Sequence, residues 1–157
     1  MSSFISKDDY AYHMRVYKLD QILDEEEHDQ DLILDTAEEE ALAMIEKHLA
    51  DKYDMNTVLS QSGANRNKVI LRWAKVLVIY YIYERVPDEM VPERVVKNYN
   101  EVMEQLRRVE DGKASVSGLP PKTELDGNGV NQPVTRRRWG SVTARTNDAG
   151  SPRNLKW

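Results

Sequence analysis

Residues 69–83 read Val69-Ile70-Leu71-Arg72-Trp73-Ala74-Lys75-Val76-Leu77-Val78-Ile79-Tyr80-Tyr81-Ile82-Tyr83, and the reading of this stretch decides the fold. From Val76 to Tyr83 it carries no charged side chain; Lys68, Arg72 and Lys75 interrupt it on the N-terminal side, and Glu84-Arg85 close it. A membrane-spanning helix needs about 20 predominantly apolar residues, so this one is too short and too interrupted. Its β-branched and aromatic residues suit a strand, but strands run about 4–8 residues and buried helices at least about 10–12. Length therefore selects the helix. A helix apolar on nearly every side is one that its neighbours surround. With Asn65 as N-cap and Pro87 as a stop, the segment reads as the central helix of a small bundle.

Working outward, Val86–Pro92 is a short link between prolines, and Pro92 or Glu93 opens a last helix, where proline suits the first turn. Val95, Val96, Tyr99, Val102, Met103, Leu106 and Val109 fall at 3.6-residue spacing, and Gly112 stands where a C-terminal glycine cap belongs. Before the central helix, Asp54–Ala64 is a polar connection from which Val58 and Leu59 dip toward the core. Further back, Thr36 followed by Glu39 forms a capping-box pattern. It opens a helix to Lys52 or Tyr53 with Ala37, Ala41, Met44, Ile45, His48 and Leu49 on one stripe, and Glu38, Glu40, Glu46, Lys47 and Asp51 facing out. Ser6 and the aspartates after it start a first helix carrying Tyr10, Met14 and Tyr17 and ending near Lys18. Leu19, Ile22 and Leu23 offer one more apolar turn, and Asp24–Asp31 reads as a solvated acidic loop. The expected fold is all-α: residues 1–112 form a small antiparallel bundle with a buried central helix.

Residues 113–157 change character. They hold four of the six prolines and no helical periodicity beside several glycines, and read as an extended C-terminal arm unable to bury enough apolar area by itself to offset its ordering entropy. The net charge of −5 hides an asymmetry: residues 1–112 carry 14 Lys and Arg against 24 Asp and Glu, a net of −10, and residues 113–157 carry 8 against 3, a net of +5. An acidic body with a basic appendage suggests an interacting tail. Trp and Arg are the types most enriched at interface hot spots. Arg136, Arg137, Arg138, Trp139, Arg145 and Trp157 are therefore the candidate partner-binding residues, on an arm that orders against another chain.

Catalytic signatures are missing. No glycine-rich phosphate loop, HExxH or CxxC occurs, and no Ser/His/acid arrangement can be argued from spacing. The chain has no cysteine and three histidines. His13 reads as a packed or surface residue and His48 as a hydrogen-bonded residue at the core edge. The acidic run lacks the alternating ligands and turn glycine of a calcium loop. The expectation is a non-enzyme with no cofactor and no metal. The N-terminus MSSFISKDDY lacks the apolar core of a signal peptide, so no membrane step is expected. A second reading is a small regulatory protein that binds nucleic acid through Arg136–Trp139 of its basic C-terminal arm, although a body of net charge −10 would repel DNA.

From Ile5 to Leu119 the chain resembles the helical head–tail connector, or adaptor, proteins of tailed bacteriophages in the Mu-like prophage group. The resemblance rests on Asp8-Asp9-Tyr10, on Ala41-Leu42-Ala43-Met44-Ile45-Glu46-Lys47-His48-Leu49-Ala50-Asp51-Lys52-Tyr53-Asp54, on Trp73–Tyr83, and on Tyr99–Leu106 running into Asp111-Gly112-Lys113. His48 stands where that family often has an aromatic or small residue. These are packing motifs without catalytic content. The resemblance implies a structural virion protein at the neck, assembled in the host cytoplasm. Such proteins form a ring, commonly a dodecamer, between the portal protein and neck or tail proteins, and packaged DNA passes through without specific binding. Their C-terminal arms reach onto neighbours or the portal.

Overall fold

A computed structural model describes residues 4–10, 30–85, 91–125 and 131–133. They form α1 (Lys7–Tyr10), α2 (Gln30–Leu49), α3 (Met55–Leu59), a 3-10 turn (Gly63–Asn65), α4 (Lys68–Tyr83), α5 (Glu93–Glu110), β1 (Thr123–Leu125) and β2 (Asn131–Pro133). The architecture is an all-α bundle in which α2, α4 and α5 all pack on one another. The apolar run becomes α4 and buries Ile70, Trp73, Ala74, Val76, Leu77, Val78, Ile79, Ile82 and Tyr83. Burial on nearly all sides explains why polar spacing is absent from its second half. Its cap lies two residues beyond the expected Asn65, which instead ends the 3-10 turn. Asn67 has extended backbone, and its Oδ1 accepts from the N–H groups of Val69 (3.0 Å) and Ile70 (3.3 Å). Pro87 lies outside the described residues.

Helix α2 begins six residues earlier than the capping-box reading places it. Thr36 sits inside the helix, where its hydroxyl donates to the Leu32 carbonyl one turn back at 2.8 Å, a common way for a mid-helix threonine to satisfy itself. Ile33 and Leu34 are buried and extend the stripe through Ala37, Ala41, Ile45 and Leu49, so packing overrides the local start signal. Gln30 and Asp31, from the edge of the expected acidic loop, are the helix's first residues; Asp24 to Asp29 lie outside the described residues. Glu38, expected to face solvent, is buried at 6% exposure and accepts from the Tyr10 hydroxyl at 2.9 Å. Burial first, then the Glu38 carboxylate, pushes the Tyr10 phenol far above its ordinary range. The helix ends at Leu49, before the expected Lys52, and turns into α3, where Asp54 accepts from the Thr57 N–H (3.2 Å) and hydroxyl (2.6 Å).

Helix α5 buries Val95, Val102, Met103, Leu106 and Val109, whereas Val96, assigned to the same stripe, is exposed. Its end is a Schellman motif. Gly112, at φ +78°, donates to the Val109 carbonyl (3.0 Å), and Lys113 reaches back to the Arg108 carbonyl (2.8 Å). Packing continues beyond the boundary drawn at Gly112. Val116 and Leu119 are buried, the Val116 N–H donates to the Tyr53 hydroxyl (3.0 Å), and Asn67 Nδ2 donates to the Ser117 carbonyl (3.1 Å). Two further backbone bonds, Asp54 N–H to Pro120 (3.0 Å) and Lys122 N–H to Lys52 (2.8 Å), tie this return strap to the α2–α3 corner. β1 and β2 then pair antiparallel with Glu124 opposite Gln132, a hairpin that the aperiodic sequence did not announce.

At the other end of the chain, Ser6 starts α1 differently from expectation. Its hydroxyl donates to Asp9 Oδ2 (2.8 Å), and so does its N–H (2.9 Å). Arg66 grips the same carboxylate (2.6 and 3.4 Å) and donates to the Phe4 carbonyl (2.8 Å). Burial alone would raise the Asp9 pKa, but the Arg66 and Ser6 hydrogen bonds outweigh it and hold the group at about 2. The N-terminal segment, with Phe4 and Ile5 buried, is thereby clipped to the entrance of α4. The remainder of the expected first helix lies outside the described residues.

Candidate functional site

The return strap roofs one end of the α4–α5 face and makes a cleft of about 360 Å³ there. Val69 and Trp73 of α4 form one wall, Gln105, Arg108 and Val109 of α5 the other, and Ala114–Ser117 the roof. The Trp73 indole N–H donates to Gln105 Oε1 at 2.8 Å, which links the two walls. Val69 is 39% exposed and turns a branched apolar side chain toward the opening. Smaller depressions continue along the α4–α5 seam past Val76, Asn98 and Ile79. Arg72, Arg94, Glu101 and Arg108 contribute to the linings along this line. On a body of net negative charge, the seam carries three guanidiniums against one carboxylate.

A second feature stands at the other end of α4. The Tyr80 ring stacks on Tyr99 with centroids 3.8 Å apart and planes 16° from parallel. Tyr81 meets both edge-on, at 6.1 and 6.4 Å. All three are half-buried, and burial, with Tyr99 and nearby carboxylates behind it, pushes the Tyr81 phenol up to about 12. The three stacked and edge-packed rings form an aromatic platform on the α4–α5 surface. Surfaces of this composition suit macromolecular contact.

The remaining polar pairs inside the bundle are structural. His48 is buried at the core edge, as its place on the α2 stripe predicts, and its Nδ1 lies 2.6 Å from Glu110 Oε2. Together with the bond from the Lys52 ammonium to the Val109 carbonyl, it ties the end of α2 to the end of α5. Among the described residues, no group of three or more His, Cys, Asp or Glu could hold a metal ion, and no helix is long and apolar enough to cross a membrane. What the cleft offers is apolar contact beside a guanidinium.

The residues that sequence reasoning selected, Arg136, Arg137, Arg138, Trp139, Arg145 and Trp157, all lie outside the described residues. The cleft was missed because its roof comes from a segment read as arm. The signal available was Val116 and Leu119 flanking Gly118, two apolar residues around a turn glycine at φ +76°. Comparison with known proteins adds one finding. A family model described as "Bacteriophage Mu, Gp36" matches residues 4–132, which takes in the whole bundle, the strap and most of the hairpin. No curated protein matches the chain.

Proposed function

The chain belongs to the bacteriophage Mu Gp36 family, and from that premise we propose that it is a non-enzymatic virion protein, a connector subunit that forms a ring between portal and neck or tail. The observation that carries this reading is the extent of the family match, which runs through every packed element of the bundle. Two surfaces support it, the arginine-lined cleft and the tyrosine platform at opposite ends of α4, since a subunit held between neighbours needs more than one contact face. Partners in this reading are further copies of the chain, the portal protein and a neck or tail protein. DNA passes through the ring without a specific site. The basic arm, with Arg136–Arg138 and Trp139, supplies charge-assisted hydrogen bonds and an aromatic anchor to a partner. Assembly takes place in the host cytoplasm and the finished location is the neck of the particle.

Electron microscopy of the purified protein, with and without co-expressed portal, tests the reading. Rings of fixed symmetry, alone or stacked on the portal, are the expected result. A monomer that ignores the portal and binds duplex DNA with steep salt dependence would replace it with the regulatory reading.

A further inference from the structure

Leu32 is the most exposed large apolar residue among those described, at 62%. A single exposed leucine needs no explanation in itself. Its surroundings are less ordinary. It lies in the first turns of α2 on a face where Asp31, Asp35, Thr36 and Glu39 are also exposed, so one apolar knob projects from an acidic surface. The cleft under the return strap has the converse character, a hollow with Val69, Trp73 and Val116 on its walls and roof, Arg108 beside them and Arg72 further along the seam.

The two cannot meet within one chain. α2 packs against both α4 and α5, so its exposed face and the outer α4–α5 seam point in opposite directions. The His48–Glu110 and Lys52–Val109 contacts place the C-terminal end of α2 beside the cleft. Leu32 is therefore some 17 residues, or roughly 25 Å at helical rise, from that end. Two complementary patches on opposite sides and opposite ends of one molecule describe a head-to-tail contact, which closes into a ring or runs on as a filament.

Resting on the connector reading for its setting, we infer that Leu32 of one copy seats in the Val69–Trp73–Val116 cleft of the next, with Asp35 and Asp31 facing Arg108 and Arg72. The occupant is a second copy of this chain. The leucine fills the hollow, and the carboxylates beside it select the orientation through charge.

The absence of cysteine makes the contact testable in the full chain by disulfide trapping. Thr36→Cys sits one turn from Leu32 on the same exposed face, and Ser117→Cys sits in the cleft roof; both positions are exposed. Mixing the two single variants under mild oxidation, with portal present if the microscopy shows rings only there, is expected to give a disulfide-linked dimer. Neither variant alone should give one. Adding Leu32→Asp to the Thr36→Cys chain should remove the band, and Arg108→Glu in the Ser117→Cys chain should cut it about tenfold or more. Combining Arg108→Glu with Asp35→Arg in the opposing chain should bring it back. Circular dichroism checks that each variant folds. No band in the mixture, equal bands from the single variants, or indifference to Leu32→Asp would each overturn the inference. If rings still form on the portal in any of those cases, the connector reading stands and only this interface is wrong. If neither rings nor cross-links appear, the connector reading falls with it.

Discussion

Helix α4 and the return strap, residues 113–122, lie against each other and are held by opposite means. The helix buries nine side chains, so its position is set by apolar area and no single polar contact matters much. The strap buries only Val116 and Leu119, and is fixed by separate directional devices: two glycines in left-handed conformation, a tyrosine hydroxyl, an asparagine amide and two backbone bonds to the α2–α3 corner. Area is additive and tolerant, whereas directional contacts are few and individually removable. Damage to α4 should therefore be global and damage to the strap local, which mutation can examine.

The largest effect should come from Leu77→Ala at the centre of α4, where the side chain is fully buried. A cavity of this kind costs about 2–5 kcal/mol, read as a drop in the denaturant midpoint with unchanged slope. A loss within about 0.5 kcal/mol, a typical surface effect, would mean that α4 is not the core of the bundle. Next is Gly118→Ala: there is room for the methyl group, but φ +76° costs a non-glycine residue about 1–2 kcal/mol. Hydrogen exchange at the Val116 amide should quicken while the core amides of α4 stay protected.

Asn67→Ala sharpens the contrast because Asn67 serves both regions, capping α4 through Oδ1 and holding Ser117 through Nδ2. A loss of about 1 kcal/mol from the cap should come with the same quickened exchange at Val116. Tyr53→Phe removes only the acceptor for the Val116 N–H, with an expected cost of about 1 kcal/mol, again confined to the strap. The remaining prediction concerns pH. The Asp9 carboxyl is held at about 2 by Arg66 and Ser6, below its unfolded value of about 3.9. Its contribution is thus complete above about pH 4 and fades as pH falls toward 2. In Asp9→Asn that part of the acid limb should disappear from a stability-versus-pH curve.

How legible the molecule was follows the same division. Periodicity and length located α4 and α5 to within a residue or two, because area leaves its mark on sequence as composition. Start signals misled where packing had the last word. Thr36 and Glu39 form a capping box on paper, yet Ile33 and Leu34 carry the helix through them. Asn65 and Asn67 are equally good caps, and only the geometry of the 3-10 turn chooses between them. Glu38 was placed outside because carboxylates usually are; its partner, Tyr10, is 28 positions away, too far for spacing to suggest. The cleft needed three separated segments and a strap whose order rests on single hydrogen bonds, so periodicity had no access to it. The basic stretch of the arm was the clearest functional hint in the sequence, and its Arg136–Trp139, Arg145 and Trp157 lie outside the described residues.

The bridge between Tyr53 and Pro121 has a mechanical consequence. Without it, a pull on the chain beyond the hairpin would peel α5 from its C-terminal end, turn by turn, like lifting tape from an edge. With it, the load enters the body at the corner between α2 and α3, through Asp54 N–H and Lys122 N–H together. The strap works as the strain relief on a cable does, taking up tension from the chain past the hairpin at the α2–α3 corner while the end of α5 stays slack.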